Sequence, residues 1–145
     1  YMIYQAGAMG ASAVLLICSV LDDGELQAYF QLSKELGLSA LVEAHSEEEI
    51  ERAKKAGAVI LGVNNRNLKD FSVDLSNSAR LRSLAGEETV FVSESGIRDE
   101  RDIRTLWENG TDAVLIGEML MRAPDRRQAL QELKKAAGQS TEEVR

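Results

Sequence analysis

Cysteine and proline each occur once in the 145 residues, and positive charge is scarce beside negative. The lone Cys18 excludes an intramolecular disulfide framework and a multi-cysteine zinc site, and it suits a reducing, cytoplasmic setting. A single proline among 44% hydrophobic residues describes a packed chain rather than a disordered one. With 17 Lys+Arg against 24 Asp+Glu and a net charge of -7, the basic clusters that neutralise phosphate backbones are missing, so nucleic acid is not an expected partner. No apolar run approaches the roughly 18 residues of a membrane span. The opening YMIYQAGAMG has neither the charged nor the apolar region of a secretory leader. No metal site and no membrane association are expected. The length fits one domain, but Tyr1 stands in what reads as mid-helix, which raises the expectation of missing upstream sequence.

What is present is a regular alternation. AVLLICSV (Ala13 to Val20), SALVEA (Ser39 to Ala44), AVILGVN (Ala58 to Asn64), TVFVSE (Thr89 to Glu94) and AVLIGE (Ala113 to Glu118) read as buried strands. Their continuous hydrophobicity is what a parallel sheet covered on both faces demands. Amphipathic stretches at 23–36, 47–56, 75–84, 99–109 and 125–137 read as helices. Ser46 with Glu49 forms a capping-box pattern, Asp99 and Asp125 are placed to cap, and glycines 10, 37, 57 and 110 precede strands where helices end. EAHSEEEIERAKKAGAVILG and ESGIRDERDIRTLWENGTDAVLIG share one plan of strand-end Glu, cap, helix, glycine and strand. Two architectures accommodate such βα units. An open doubly wound sheet lacks its G-x-G-x-x-G here. A partial (β/α)8 barrel explains the repetition better: a full barrel needs about 250 residues, so five of eight strands are expected, with the first helix as the tail of the third unit. Residues 1–137 would form this portion and 138–145 a polar tail.

In such a barrel chemistry sits at the C-terminal strand ends. Those ends present Glu43, Asn64 and Arg66, Glu94 with Ser95 and Gly96, and Gly117. Taken singly, a strand-end Glu is a cap or ion-pair partner; the clustering at one end is what points to function. E-S-G-I and I-G-E-M place Gly96 and Gly117 in the two loops that commonly hold phosphate in this fold. Backbone N–H groups there could bind a dianion without lysine. Glu118 is awkward, because its carboxylate must point away from a bound phosphate. His45, two residues after Glu43, could orient the site or titrate near neutrality, but reads more simply as a helix-entry residue. Cys18 reads as a buried small hydrophobe, Trp107 and Tyr29 as packing between helices and sheet, and EEEIERAKK as a solvated helix face.

LVEAHSEEE, GVNNRNL, VSESGI and LIGEMLM together resemble the indole-3-glycerol phosphate synthases, from Tyr1 to about Leu133. The resemblance implies a carboxy-lyase of tryptophan biosynthesis that closes the indole ring of 1-(2-carboxyphenylamino)-1-deoxyribulose 5-phosphate with loss of CO2 and water and no cofactor. It implies Glu43 as general base assisting the dehydration, Asn64 on the substrate's hydroxyls, Arg66 nearby, and Glu94 as a substrate-binding carboxylate. Ser95, Gly96, Gly117 and the backbone at Glu118 would cradle the phosphate, while Leu15, Leu68 and Leu115 would wall the aromatic ring. Burial can raise a carboxylate's pKa toward the range such proton transfers need. The family also uses two lysines and a glutamate on its first and third strands, and no lysine of this chain stands at a strand end to replace them. The chain alone is therefore expected to be inactive; the other reading is a non-catalytic phosphate-binding half-barrel that assembles with another chain. Open edges at AVLLICSV and AVLIGE predict self-association.

Overall fold

The computed structural model describes residues 1–67 and 70–138. Helix α1 (Met2–Ala8) leads into strands β1 (Ala13–Ile17), β2 (Ser39–Ala44), β3 (Ile60–Asn64), β4 (Val90–Glu94) and β5 (Ala113–Leu115). Helices α2 (Asp23–Glu35), α3 (Glu47–Ala56), α4 (Ser76–Ala85) and α5 (Glu100–Glu108) alternate with them, and α6 (Glu118–Arg122) and α7 (Arg126–Ala136) follow β5. All pairings are parallel and the spatial order is β1-β2-β3-β4-β5. A strand order that follows the sequence is that of a barrel wall; a doubly wound sheet would reverse at a switch point. Beyond Gly138 the expected polar tail lies outside the described residues.

Two strands, β1 and β5, stop before their apolar runs do. After Ile17 the amides of Val20 and Leu21 fold back onto the Ile17 carbonyl, so the last residues of AVLLICSV form a turn instead. β5 stops at Leu115 because Gly117 already caps α6. The caps at Asp99 and Asp125 form as expected, accepting from Arg101 and Asp102 and from Gln128. At α3 the expected box is displaced: Ser46 accepts from Glu49 N–H, but the Glu49 carboxylate accepts from His45 N–H at 2.7 Å. The complete capping box is at α2, between Asp22 and Glu25.

Period two divides the strands into two faces. Leu16, Ala40, Val42, Ala44, Leu61, Val63 and Phe91 point one way and join Leu26, Ile50, Ala53 and Leu81 of α2, α3 and α4 in the main core. Each large aliphatic group so buried contributes about 1.5–3 kcal/mol. A smaller cluster of Ile97, Ile103, Leu106 and Leu133 ties the β4–α5 loop to α7. The opposite face carries Leu15, Leu41, Glu43, Gly62, Asn64, Val92, Glu94 and Leu115, which the register sets in adjoining rows. Continuous hydrophobicity thus hid an alternation between a helix-covered face and a face that bears the polar strand ends.

Three expectations about packing change. Trp107 and Leu130 are 55% and 47% exposed; they flank a hollow of about 270 Å³ between α5, β5 and α7 rather than filling a shell. Tyr29 is likewise partly exposed. The EEEIERAKK helix is only partly solvated, because Arg52 reaches across to donate to the carbonyls of Cys18 and Leu21. Lys54 pairs with Glu51 but also donates to the Leu84 carbonyl.

Candidate active site

Glu43 stands one residue before the end of β2 and Glu94 ends β4, with β3 between them, and each is 4% exposed. The register sets Glu43 beside Gly62 and Gly62 beside Val92, so Gly62 occupies the position over which a side chain would separate the two carboxyls. A Cβ there would collide with Glu94 Oε1; the missing side chain is the space the Glu94 carboxyl uses. Oε1 of each glutamate is buried without a hydrogen-bond partner among the described residues. Burial, and then the neighbouring Glu43, push Glu94 up to about 7. Two adjacent acids out of water cannot both ionise cheaply.

Around the pair, Asn64 Oδ1 accepts from Arg66 N–H at 3.0 Å, which turns the chain after β3. Asn65 points to the other face and knots three elements together. Its amide nitrogen donates to Ser93 Oγ and to the carbonyls of Glu94 and Ser95, while its oxygen accepts from Ser78 N–H and Oγ. Ser95 adopts φ 66°, a left-handed conformation that costs a non-glycine residue energy unless the surroundings hold it; the Asn65 bond to its carbonyl is part of that hold. Gly96 follows at φ 81°, and a Cβ on it would strike Val73.

The loops after β3, β4 and β5 enclose a cavity of about 830 Å³ lined by Arg66, Ser95, Gly96, Gly117, Glu118 and Arg122 among others. The backbone N–H groups of Gly96, Ile97 and Gly117 find no acceptor among the described residues. Glu118, the awkward member, turns its carboxylate to Arg66 at 3.3 Å and Arg122 at 3.1 Å. The structure therefore brings Arg66, Ser95, Gly96, Gly117 and Glu118 around one cavity and Glu43, Asn64 and Glu94 onto one sheet face. Leu15 and Leu115 share that face but stand on opposite edge strands, about half exposed, so they form no common wall. Leu68 lies outside the described residues. Cys18 is buried, and burial together with Glu49 raises its thiol to about 11, as suits an unreactive core residue.

Gly62, Asn65, Ser78 and Ser93 were not singled out by sequence reasoning. A glycine inside the apolar run AVILGVN is the one local signal, since strand glycines often mark close approach of another group.

Sequential parallel βα units with polar residues gathered at the C-terminal strand ends define a barrel-type α/β enzyme scaffold. Solved structures agree on the fold. 3-Hexulose-6-phosphate synthase from Salmonella typhimurium superposes with TM-score 0.77 over 92% of this chain and 66% of its own at 16% identity. Thiamine phosphate pyrophosphorylase from Pyrococcus furiosus does so with TM-score 0.75 over 94% of this chain and 64% of its own at 23% identity. Within that class the chain belongs to the indole-3-glycerol phosphate synthase family, whose sequence model matches residues 1–133. The indole-3-glycerol phosphate synthase of Leuconostoc mesenteroides is 54% identical over 134 residues, 92% of this chain and 51% of that protein. That of Ruminiclostridium cellulolyticum is 53% identical over 137 residues, 94% of this chain and 53% of that protein. The chain spans about half the length of the curated relatives it matches.

Proposed function

We propose that this chain supplies the base, the hydroxyl-binding groups and the phosphate loops for indole ring closure, the decarboxylating and dehydrating conversion of 1-(2-carboxyphenylamino)-1-deoxyribulose 5-phosphate. The observation that carries the reading is the buried Glu43 and Glu94 pair, the second of which runs directly into Ser95 and Gly96 of the glycine-lined cavity. Burial and the neighbouring Glu43 push Glu94 up to about 7, and Glu43 is assigned as the base that accepts a proton as water leaves. Asn64 and Glu94 face the substrate's hydroxyls. The N–H groups of Gly96 and Gly117, the Ser95 hydroxyl and the backbone at Glu118 take the phosphate, as peptide dipoles can without a lysine. Arg66 adds the nearest positive charge. Leu15, Leu68 and Leu115 contribute apolar surface to the aromatic ring once further strands join the two edges. No cofactor enters this scheme.

Among the described residues every lysine is on a helix, so the general acid of the reaction has to come from strands upstream in the family's order. Alone, the chain is proposed to lack turnover and to associate with itself through the open sides of β1 and β5. A biosynthetic reaction of this kind supports a cytoplasmic setting.

In a polypeptide that joins these residues to the upstream strands of the Leuconostoc relative, Glu43→Gln should lower turnover by about 10²–10⁴-fold, the contribution of a positioned base. Unchanged turnover overturns the reading.

A further inference from the structure

His45 is the single histidine of the chain, and its imidazole stands between two carboxylates. Nε2 is 3.9 Å from Glu43 Oε1 and Nδ1 is 3.7 Å from Glu49 Oε2. Both ring nitrogens and Glu43 Oε1 are buried with no hydrogen-bond partner among the described residues. A histidine that only shapes a helix entry would satisfy its ring on backbone, because buried unpaired polar atoms are costly. Here the backbone holds the residue and leaves the ring spare: His45 N–H donates to Glu49 Oε2 at 2.7 Å, and the His45 carbonyl accepts from Asn77 at 3.4 Å. The same Glu49 oxygen is thereby pinned beside Nδ1. Each gap is about 1 Å longer than a hydrogen bond, a distance that catalytic contacts commonly close when a site is occupied. The His45 and Glu49 side chains, 20% and 17% exposed, also line a hollow of about 470 Å³ shared with Asn64 and Asp74.

The geometry points to His45 as a positioning residue that passes protons between the buried Glu43 carboxyl and Glu49 at the solvent side. This rests on Glu43 being the base. After Glu43 has taken a proton, its O–H bond breaks as Nε2–H forms. The imidazole, neutral with its proton on Nδ1 at the start, loses Nδ1–H to Glu49 Oε2 and on to water, and it regains its starting tautomer before the next turnover as Nε2–H is given up to water and Nδ1 takes a proton from water. Neither charge nor electrons change in sum. A relay also suits the burial of the site, since Glu43 is 4% exposed while the His45 and Glu49 side chains are 20% and 17% exposed.

The titratable and charged groups facing the ring are Glu43 from β2 with Glu94 behind it, Glu49 from α3, and Asp74 across the hollow before α4. Cys18 and Arg52 lie just beyond Glu49.

The test uses the upstream-joined polypeptide and its pH–rate profile. His45→Gln keeps a polar side chain that does not titrate; it should lower kcat by about 10-fold or more with KM within about twofold, and it should displace one limb of the profile. Glu49→Gln should displace the same limb, and added imidazole should restore part of the turnover of His45→Ala. A purely structural role would change thermal stability without displacing the limb and without rescue by imidazole, and that result overturns the relay. The two readings separate cleanly. If Glu43→Gln abolishes turnover while His45→Gln and Glu49→Gln retain the wild-type profile, the relay alone fails; if Glu43→Gln retains turnover, the base assignment fails.

Discussion

At the scale of single residues the site turns on a glycine. Gly62 lets the Glu94 carboxyl lie across β3, and Gly62→Ala would put a methyl group where Oε1 now sits. Because the displaced atoms end a flexible side chain, the fold should lose no more than about 1–3 kcal/mol. Activity of the joined polypeptide should fall further than that stability loss explains. Equal activity in Gly62→Ala, measured by steady-state kinetics, would mean the carboxylate pair is dispensable. The pair also gives stability a pH dependence. Glu94 binds its proton more tightly folded (about 7) than at its ordinary value of 4.5, so its favourable term is fully present below about 4.5 and fades as pH rises through about 7. Denaturant titrations of Glu94→Gln should therefore show a flatter stability profile between those limits than the parent; identical slopes would contradict the burial of Glu94. Glu43, Asn64 and Glu94 were legible in the sequence because strand-end polar residues stand out against apolar runs. Gly62 was not, since its meaning depends on which residues the register sets on either side.

Elements are held to the site by side chains that reach between them. Asn65 joins the end of β3, the end of β4 and the start of α4 through five hydrogen bonds. Asn65→Leu strands buried groups at each of those points and should destabilise the fold by about 1–3 kcal/mol per group left unpaired. It should also relax Ser95 from its left-handed conformation and weaken phosphate binding; stability within about 0.5 kcal/mol of the parent, the range of an ordinary surface change, would show that the knot is incidental. The sequence made three helix starts, at Ser46, Asp99 and Asp125, and all five strands readable through caps and apolar runs. It did not reveal where β1 and β5 stop, because the apolar residues after them serve a turn and the α6 cap. Nor did it reveal the Glu49 capping bond to His45, which differs from the box pattern by one residue and places the two side chains together. Asn65 was hidden for a similar reason: within N-N-R-N-L nothing local says which asparagine turns toward α4.

For the whole molecule, the main feature is a sheet with two open sides. β1 and β5 are its edges, and large apolar side chains sit exposed along them: Leu15, Leu115, Val114 and, beside β5, Trp107 and Leu130. Exposed parallel edges of this kind recruit other chains, so sedimentation should find species heavier than 15.9 kDa at micromolar concentration; a compact monomer would contradict the proposed association. The barrel wall and its repeat were visible from alternating runs alone, whereas the exposure of Trp107 was not, since a helix-spaced aromatic looks the same whether or not a neighbouring element covers it. The most direct measurement is assembly with complementary strands. Mixing this chain with a separately produced polypeptide carrying the upstream strands of the Leuconostoc relative should give a one-to-one complex and the appearance of indole-forming turnover, followed by its absorbance and fluorescence. A one-to-one complex whose turnover stays at background would contradict the claim that Glu43, Glu94 and the glycine-lined loops form the working half of the site.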